Sequence, residues 1–153
     1  MVDKQWEFTG ETKIRFGITL KRIRAAVGFR LKCGIVISKG ELGGWIEKES
    51  NLSGNAWVYG NARVCDNAVV CDNAWVSGNA VVESSKDYCV YKNTWSSFRW
   101  FTYTRSNKMW KAGCFHGTGA ELIAKAYKDS EKSGKCYEAV VKAQEEIEKV
   151  MEV

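Results

Sequence analysis

The sequence predicts a mainly β protein that ends in α-helices, with a short run of parallel strands at its centre. Three observations predict it. Residues 52–82 repeat every six positions, the flanking segments alternate apolar and polar residues, and residues 118–153 open on a helix-capping sequence followed by helical periodicity. The 153 residues are 45% apolar and 27% charged, with no proline. That is one ordinary domain's worth of chain, and it excludes collagen-like, disordered and membrane-spanning classes. The pattern divides the chain into a β-hairpin cap (1–45), the repeat (46–82), an aromatic and basic hairpin (83–117) and C-terminal helices (118–153).

The N-terminal cap places Trp6, Phe8, Ile14, Phe16, Ile18 and Leu20 in short alternating runs broken by Gly10 and Gly17. Such runs read as β-hairpins. The repeat follows as Leu52-Ser-Gly-Asn-Ala-Trp57, Val58-Tyr-Gly-Asn-Ala-Arg63, Val64-Cys-Asp-Asn-Ala-Val69, Val70-Cys-Asp-Asn-Ala-Trp75 and Val76-Ser-Gly-Asn-Ala-Val81. Ile46 keeps the phase one unit earlier, while Glu47 to Asn51 is degenerate. Six residues suit one short strand and a corner. The branched aliphatic points inward, the Gly-Asn or Asp-Asn pair turns the chain, and the small Ala sits inside the corner. The asparagines are placed to hydrogen-bond from one turn to the next.

Beyond the repeat, Phe98 to Arg105 reads as an aromatic, threonine-rich strand and Met109 to Phe115 as its returning partner. Thr118-Gly-Ala-Glu121 is a capping box opening a helix to about Glu131. Ser133-Gly134 interrupts it, and a second helix aligns Tyr137, Val140, Val141, Ile147 and Val150 on one face.

The repeat resembles the hexapeptide-repeat family, whose fold is a left-handed parallel β-helix. The resemblance implies handedness and about two coils of 18 residues. Leu20 to Ala25, Gly40-Glu-Leu-Gly-Gly-Trp-Ile-Glu47 and Gly113-Cys-Phe-His-Gly-Thr118 extend it to small phage and prophage members. It implies a homo-oligomer; unrelated small phage proteins of this size block host defences, and by that analogy the expectation is a non-enzymatic protein in the cytoplasm of the bacterial host that binds a host component or sequesters its signal. Hexapeptide acyltransferases bind an acyl-coenzyme A and use a histidine base. Here His116 alone exists, outside the repeat, and reads as an exposed or capping turn residue beside Cys114.

Charge is uneven. Lys13, Arg15, Lys21, Arg22, Arg24, Arg30, Lys32 and Lys39 form a basic segment with no acid between them, and residues 51–82 carry only Arg63, Asp66 and Asp72. Two functional surfaces follow. Positions 18 apart share a face, so Trp57 lies under Trp75 and Tyr59 under Ser77, with Arg63 across a corner. An outward tryptophan row is expensive in water, so it anchors a partner, a second copy or a flanking segment. In Trp95 to Arg105, Arg99, Phe101, Tyr103 and Arg105 share one strand face, suited to stacking on bases and contacting phosphates. The candidate binding residues are therefore Trp57, Tyr59, Arg63, Trp75, Arg99, Tyr103 and Arg105. Nucleic acid, a nucleotide or another anion are the alternative partners to a host protein.

Nothing points to a catalytic residue, a metal or a cofactor. The six cysteines include no C-x-x-C, and the N-terminal residues contain no apolar stretch of a secretory signal. Free cytosolic thiols are the expectation, and no membrane partner is expected.

Overall fold

The computed structural model describes residues 4–31, 35–66, 68–71 and 74–152. Strands β1 (Trp6–Arg15) and β2 (Ile18–Ala25) form the expected antiparallel hairpin. Pairing of Arg15 with Ile18 leaves Phe16 and Gly17 as a two-residue turn, with φ of 52° and 79°. Two left-handed residues are what a tightly twisted hairpin turn requires. Gly10, at φ 94°, marks the bulge that shifts register between Phe8 and Thr12. A second hairpin, β3 (Phe29–Arg30) with β4 (Val36–Ile37), leads to β5 (Leu42–Ile46).

The repeat supplies β6 (Trp57–Val58), β7 (Arg63–Val64), β8 (Trp75–Val76) and β9 (Val81–Val82). Its pairs are parallel and have the register the period demands: Trp45 with Arg63, Arg63 with Val81, Trp57 with Trp75, and Leu52 with Val70. The aliphatics Ile46, Leu52, Val58, Val64, Val70, Val76 and Val82 and the corner alanines are all buried, as patterning requires. Gly54, Gly60, Gly78 and Asp66 hold the left-handed corner angles.

A sustained parallel β-helix does not form, and that expectation is corrected. Each corner leaves only two residues to pair before the chain turns. The pairs are distributed among separate small sheets: β5, β7 and β9 join the antiparallel hairpin in a mixed five-stranded sheet ordered β1-β2-β5-β7-β9, β6 and β8 stand as a two-stranded sheet, and Leu52–Val70 is a single bridge. Antiparallel β2, not another parallel turn, occupies the edge of β5. The asparagine ladder is also absent among the described residues. Asn55 Nδ2 donates to Arg30 O, and Asn79 Oδ1 accepts from Asn107 Nδ2. Asn67 and Asn73 lie outside the described residues.

The two degenerate segments that bracket the repeat are the same device. Asn51 Oδ1 accepts from the backbone N–H groups of Glu47 and Lys48, and its Nδ2 donates to Asp66 O and Ala68 O. Asp87 Oδ2 accepts from the N–H groups of Glu83 and Ser84. Each closes a 3₁₀ turn, Glu49–Asn51 and Ser85–Asp87. A polar side chain here satisfies backbone donors that the irregular turn would otherwise leave unpaired.

Strands β10 (Tyr88–Lys92), β11 (Trp100–Thr104), β12 (Met109–Ala112) and β13 (Phe115–Gly117) form an antiparallel sheet in that order. It lies between the repeat and the helices, so β11 is buried on both faces. Thr102 and Thr104 face the repeat, where Trp75 N donates to Thr102 Oγ1 at 3.0 Å and Val81 N donates to Ser106 Oγ at 2.7 Å. Those hydroxyls satisfy N–H groups along the repeat's last parallel edge. Phe101, Tyr103 and Trp110 face the other way and pack with Leu122 and Val141 of the helices.

Helix α1 (Gly119–Asp129) carries the capping box, with Thr118 Oγ1 accepting from Glu121 N and Glu121 Oε1 from Thr118 N. Ser130, not Ser133-Gly134, divides the helices. It caps α2 (Glu131–Met151) by accepting from Ser133 N. Gly134 lies inside α2 beneath the Tyr127 ring. The expected apolar face of α2 holds only in its first half: Ile147 and Val150 are exposed, while Gln144 and Glu148 turn inward. Mainly β architecture with two C-terminal helices is thus the fold, and among the described residues no helix is long and apolar enough to cross a membrane.

Cysteine reactivity follows from this packing. Cys65 is 2% exposed, and burial, reinforced by the Asp66 carboxylate, pushes its thiol up to about 11. Cys114 is exposed. Alkylation of the native protein at pH 8, read by peptide mass mapping, is expected to modify Cys114 first and leave Cys65 until unfolding, since the thiolate is the nucleophile. Comparable rates at both positions would contradict the packing. Cys33 lies outside the described residues.

Candidate functional site

The structure separates the seven candidate residues. Trp57 is fully buried, its ring meeting Phe29 edge-on at 5.4 Å. It is core, because the β3–β4 hairpin folds over it. Tyr103 is also core, and burial with the neighbouring Glu148 raises its phenol to about 12. Arg105 is engaged inside the molecule: its Nε lies 2.8 Å from Glu148 Oε2 and fastens α2 to the sheet. Burial alone would raise the Glu148 carboxyl, but hydrogen bonds from Arg105 and Gln144 outweigh it and hold the group below the usual carboxylate range. Arg99 is exposed but precedes β11. The face expected to meet phosphates is therefore the one the helices cover. A threonine-rich, two-sided buried strand presents the same alternation as a half-exposed one, which is why the pattern misleads.

Of the three that remain, Tyr59 and Trp75 both line a cavity of about 650 Å³ and Arg63 does not. Its walls come from three parts of the chain. Hairpin β3–β4 contributes Ile35 to Ile37 with the carboxylate of Glu41 just beyond it, the repeat corners contribute Tyr59 to Asn61 with Ser77 and Gly78, and the four-stranded sheet contributes Lys111 and His116. Tyr59 meets Trp75 edge to face, with centroids 6.4 Å apart and planes at 88°. Tyr59 is 42% exposed whereas Trp75 is nearly covered. Lys111 Nζ lies 4.3 Å from the Trp75 ring centroid, within reach for a cation–π contact.

Strand register brings the polar wall together. Thr102 pairs with Lys111 and Lys111 with His116, so the three side chains share the face toward the repeat. The room for the imidazole comes from Gly78, where a Cβ would stand 2.7 Å from His116 Cε1. Partial burial and then the Lys111 charge lower the His116 pKa from its ordinary value, so the ring is mostly neutral at pH 7. Two buried polar atoms of the lining residues, Trp75 Nε1 and Ser77 Oγ, have no hydrogen-bond partner among the described residues. Such orphans are uncommon in native interiors and call for an explanation.

Sequence reasoning missed Lys111; it read His116 as an exposed or capping turn residue, and the residue is exposed but lies in a strand, not a turn. The available signal was register: two strands joined at Gly113 set Lys111 opposite His116. Arg63 lies elsewhere, over the Phe16 ring at 5.4 Å. Among the described residues no group of three His, Cys, Asp or Glu is placed to hold a metal ion.

No protein-family model, curated protein or solved structure matches this chain. The resemblance to hexapeptide-repeat proteins of phages is overturned on both counts, since no family matches and the centre lacks the continuous parallel β-helix that defines the fold.

Proposed function

We propose that this chain is a non-enzymatic binding protein, and that its cavity takes a small ligand combining a planar ring with an anionic group, as a nucleotide does. One observation carries the reading. An exposed tyrosine edge, a lysine and a histidine converge on one cavity, with one acid, Glu41, among its described lining residues. The volume suits a ligand of nucleotide size, and apolar walls with a few convergent polar groups are the usual form of such sites. An aromatic ring stacks a base, and the Lys111 side favours a phosphate.

Binding without chemistry is favoured by what surrounds His116. It makes no hydrogen bond to a carboxylate or to a nucleophile among the described residues, so neither an oriented base nor a nucleophile–base pair is assembled. A role against a host defence component, implied by the overturned resemblance, has no support from particular residues and forms no part of the proposal.

Isothermal titration with AMP, adenosine and ribose 5-phosphate tests it. AMP is expected to bind more tightly than either fragment. As pH falls through the lowered His116 pKa the imidazolium adds charge beside Lys111, so the wild type should gain affinity relative to His116→Gln, while protonation of the AMP phosphate at about pH 6 acts on both alike. Equal binding by all three, or none at millimolar concentration, would refute the nucleotide reading.

A further inference from the structure

The outer face of the five-stranded sheet carries a second cationic surface that shares no residue with the cavity. Register places Arg22 opposite Trp45 and Trp45 opposite Arg63, while Lys13 and Arg15 follow on β1. Lys13 Nζ lies 4.2 Å from the Trp45 ring centroid and Arg22 Cζ 5.6 Å. The indole is thereby covered, and the charges are held in place above it. Arg22 meets Glu11 at 3.4 Å, but among the described residues no carboxylate lies within ion-pair distance of Lys13, Arg15 or Arg63. Partial burial, followed by Arg15, Arg63 and Arg22, lowers the Lys13 pKa against the opposing effect of Glu11, as a cluster with excess positive charge requires. Glu83, lining a cleft of about 130 Å³ with Arg15 and Arg63, is the nearby acid on that side.

At the end of this face stands Phe16. It is 89% exposed and adopts φ 52° in the hairpin turn. A bulky residue in the left-handed region is strained, and glycine or asparagine would serve the turn better. An exposed aromatic held in a strained conformation, with Arg63 stacked on it at 5.4 Å, is a feature folding does not need.

We infer that this face binds single-stranded nucleic acid, with bases stacking on Phe16 and Arg63 and the phosphate backbone running across Arg15, Lys13 and Arg22. Charge complementarity sets the class of partner. The cations extend from β1 to β7, three strand spacings or roughly 14 Å, so they follow a chain along the sheet instead of ringing the tip. That arrangement favours a nucleic-acid strand over an anionic membrane, into which a hairpin would insert tip first. An exposed ring needs an unstacked base, which a duplex does not offer.

The test is fluorescence anisotropy with a labelled twelve-nucleotide oligothymidine, between 25 and 300 mM salt. Three cations on phosphates predict a log–log salt slope of about −2.1, and Lys13→Ala with Arg15→Ala should flatten it by about 1.4. Phe16→Gly separates function from structure. It relieves the turn, so the melting temperature should hold or rise, yet oligonucleotide affinity should fall roughly tenfold or more, as loss of one stacked base implies. Excess AMP should not displace the oligonucleotide. The inference fails if no binding occurs at 25 mM salt, if Phe16→Gly leaves affinity unchanged, or if anionic phosphatidylserine vesicles bind where the oligonucleotide does not.

Discussion

Gly43→Ala and Gly44→Ala are each expected to lower stability by about 3 kcal/mol, the upper end of the range for overpacking. A Cβ at Gly43 would stand 2.8 Å from Val58 O and 2.9 Å from Trp57 Cζ2, and one at Gly44 would stand 2.7 Å from Ala62 O. These neighbours are backbone oxygens and a buried ring, so none can swing aside. The glycines let β5 lie directly on the repeat corners, joining the N-terminal hairpin to the core. For a chain of this length the loss corresponds to roughly 6–12 °C in melting temperature. Gly28→Ala is the control. Its Cβ would meet nothing nearer than 3.6 Å, and its backbone is not left-handed, so it should be neutral or slightly stabilising. Equal melting temperatures for Gly43→Ala and Gly28→Ala would show that β5 does not approach the repeat as described.

Trp57→Ala and Tyr59→Ala are expected to have opposite profiles, although the two residues lie only two positions apart, in consecutive repeat units. Trp57 is fully buried among Phe29 and the corner residues. Its truncation should cost about 3–5 kcal/mol through lost burial and the cavity left behind, with ligand affinity unchanged in whatever remains folded. Tyr59 is 42% exposed at the cavity mouth. Removing its ring should cost under about 1 kcal/mol of stability, as an exposed position does. Nucleotide affinity should nevertheless fall about tenfold, as one base–aromatic stack implies. Chemical denaturation and calorimetric titration of both variants decide the matter. Loss of binding in folded Trp57→Ala, with none in Tyr59→Ala, would reverse the roles.

The repeat was legible because period and chemistry agree at every unit: an aliphatic that must be buried, a corner that needs Gly or Asp, an alanine with no room beside it. The capping box at Thr118 was legible for a similar reason, since both partners lie within four residues. Long-range placement was not. Whether Trp57 faces solvent depends on the β3–β4 hairpin, whose Phe29 lies 28 residues away in sequence. Whether the Arg99–Arg105 face is exposed depends on α2 docking through Glu148. Alternation states that two faces differ; it does not state what covers either. The cavity was the least legible part, because its walls come from three separate segments and its lysine and histidine meet only through strand register.

The seven tryptophans give seven indole N–H signals, and two of them separate site from core. Among the described residues Trp57 Nε1 and Trp75 Nε1 are both buried without a hydrogen-bond partner, but of the two only Trp75 lines the cavity. The decisive measurement is a two-dimensional ¹⁵N–¹H NMR titration with AMP, the two indole signals assigned by Trp57→Phe and Trp75→Phe. The account predicts that the Trp75 indole resonance shifts with saturation while the Trp57 resonance stays in place. A saturable shift confined to Trp57 or to signals remote from the cavity, or no shift at millimolar AMP, would contradict it.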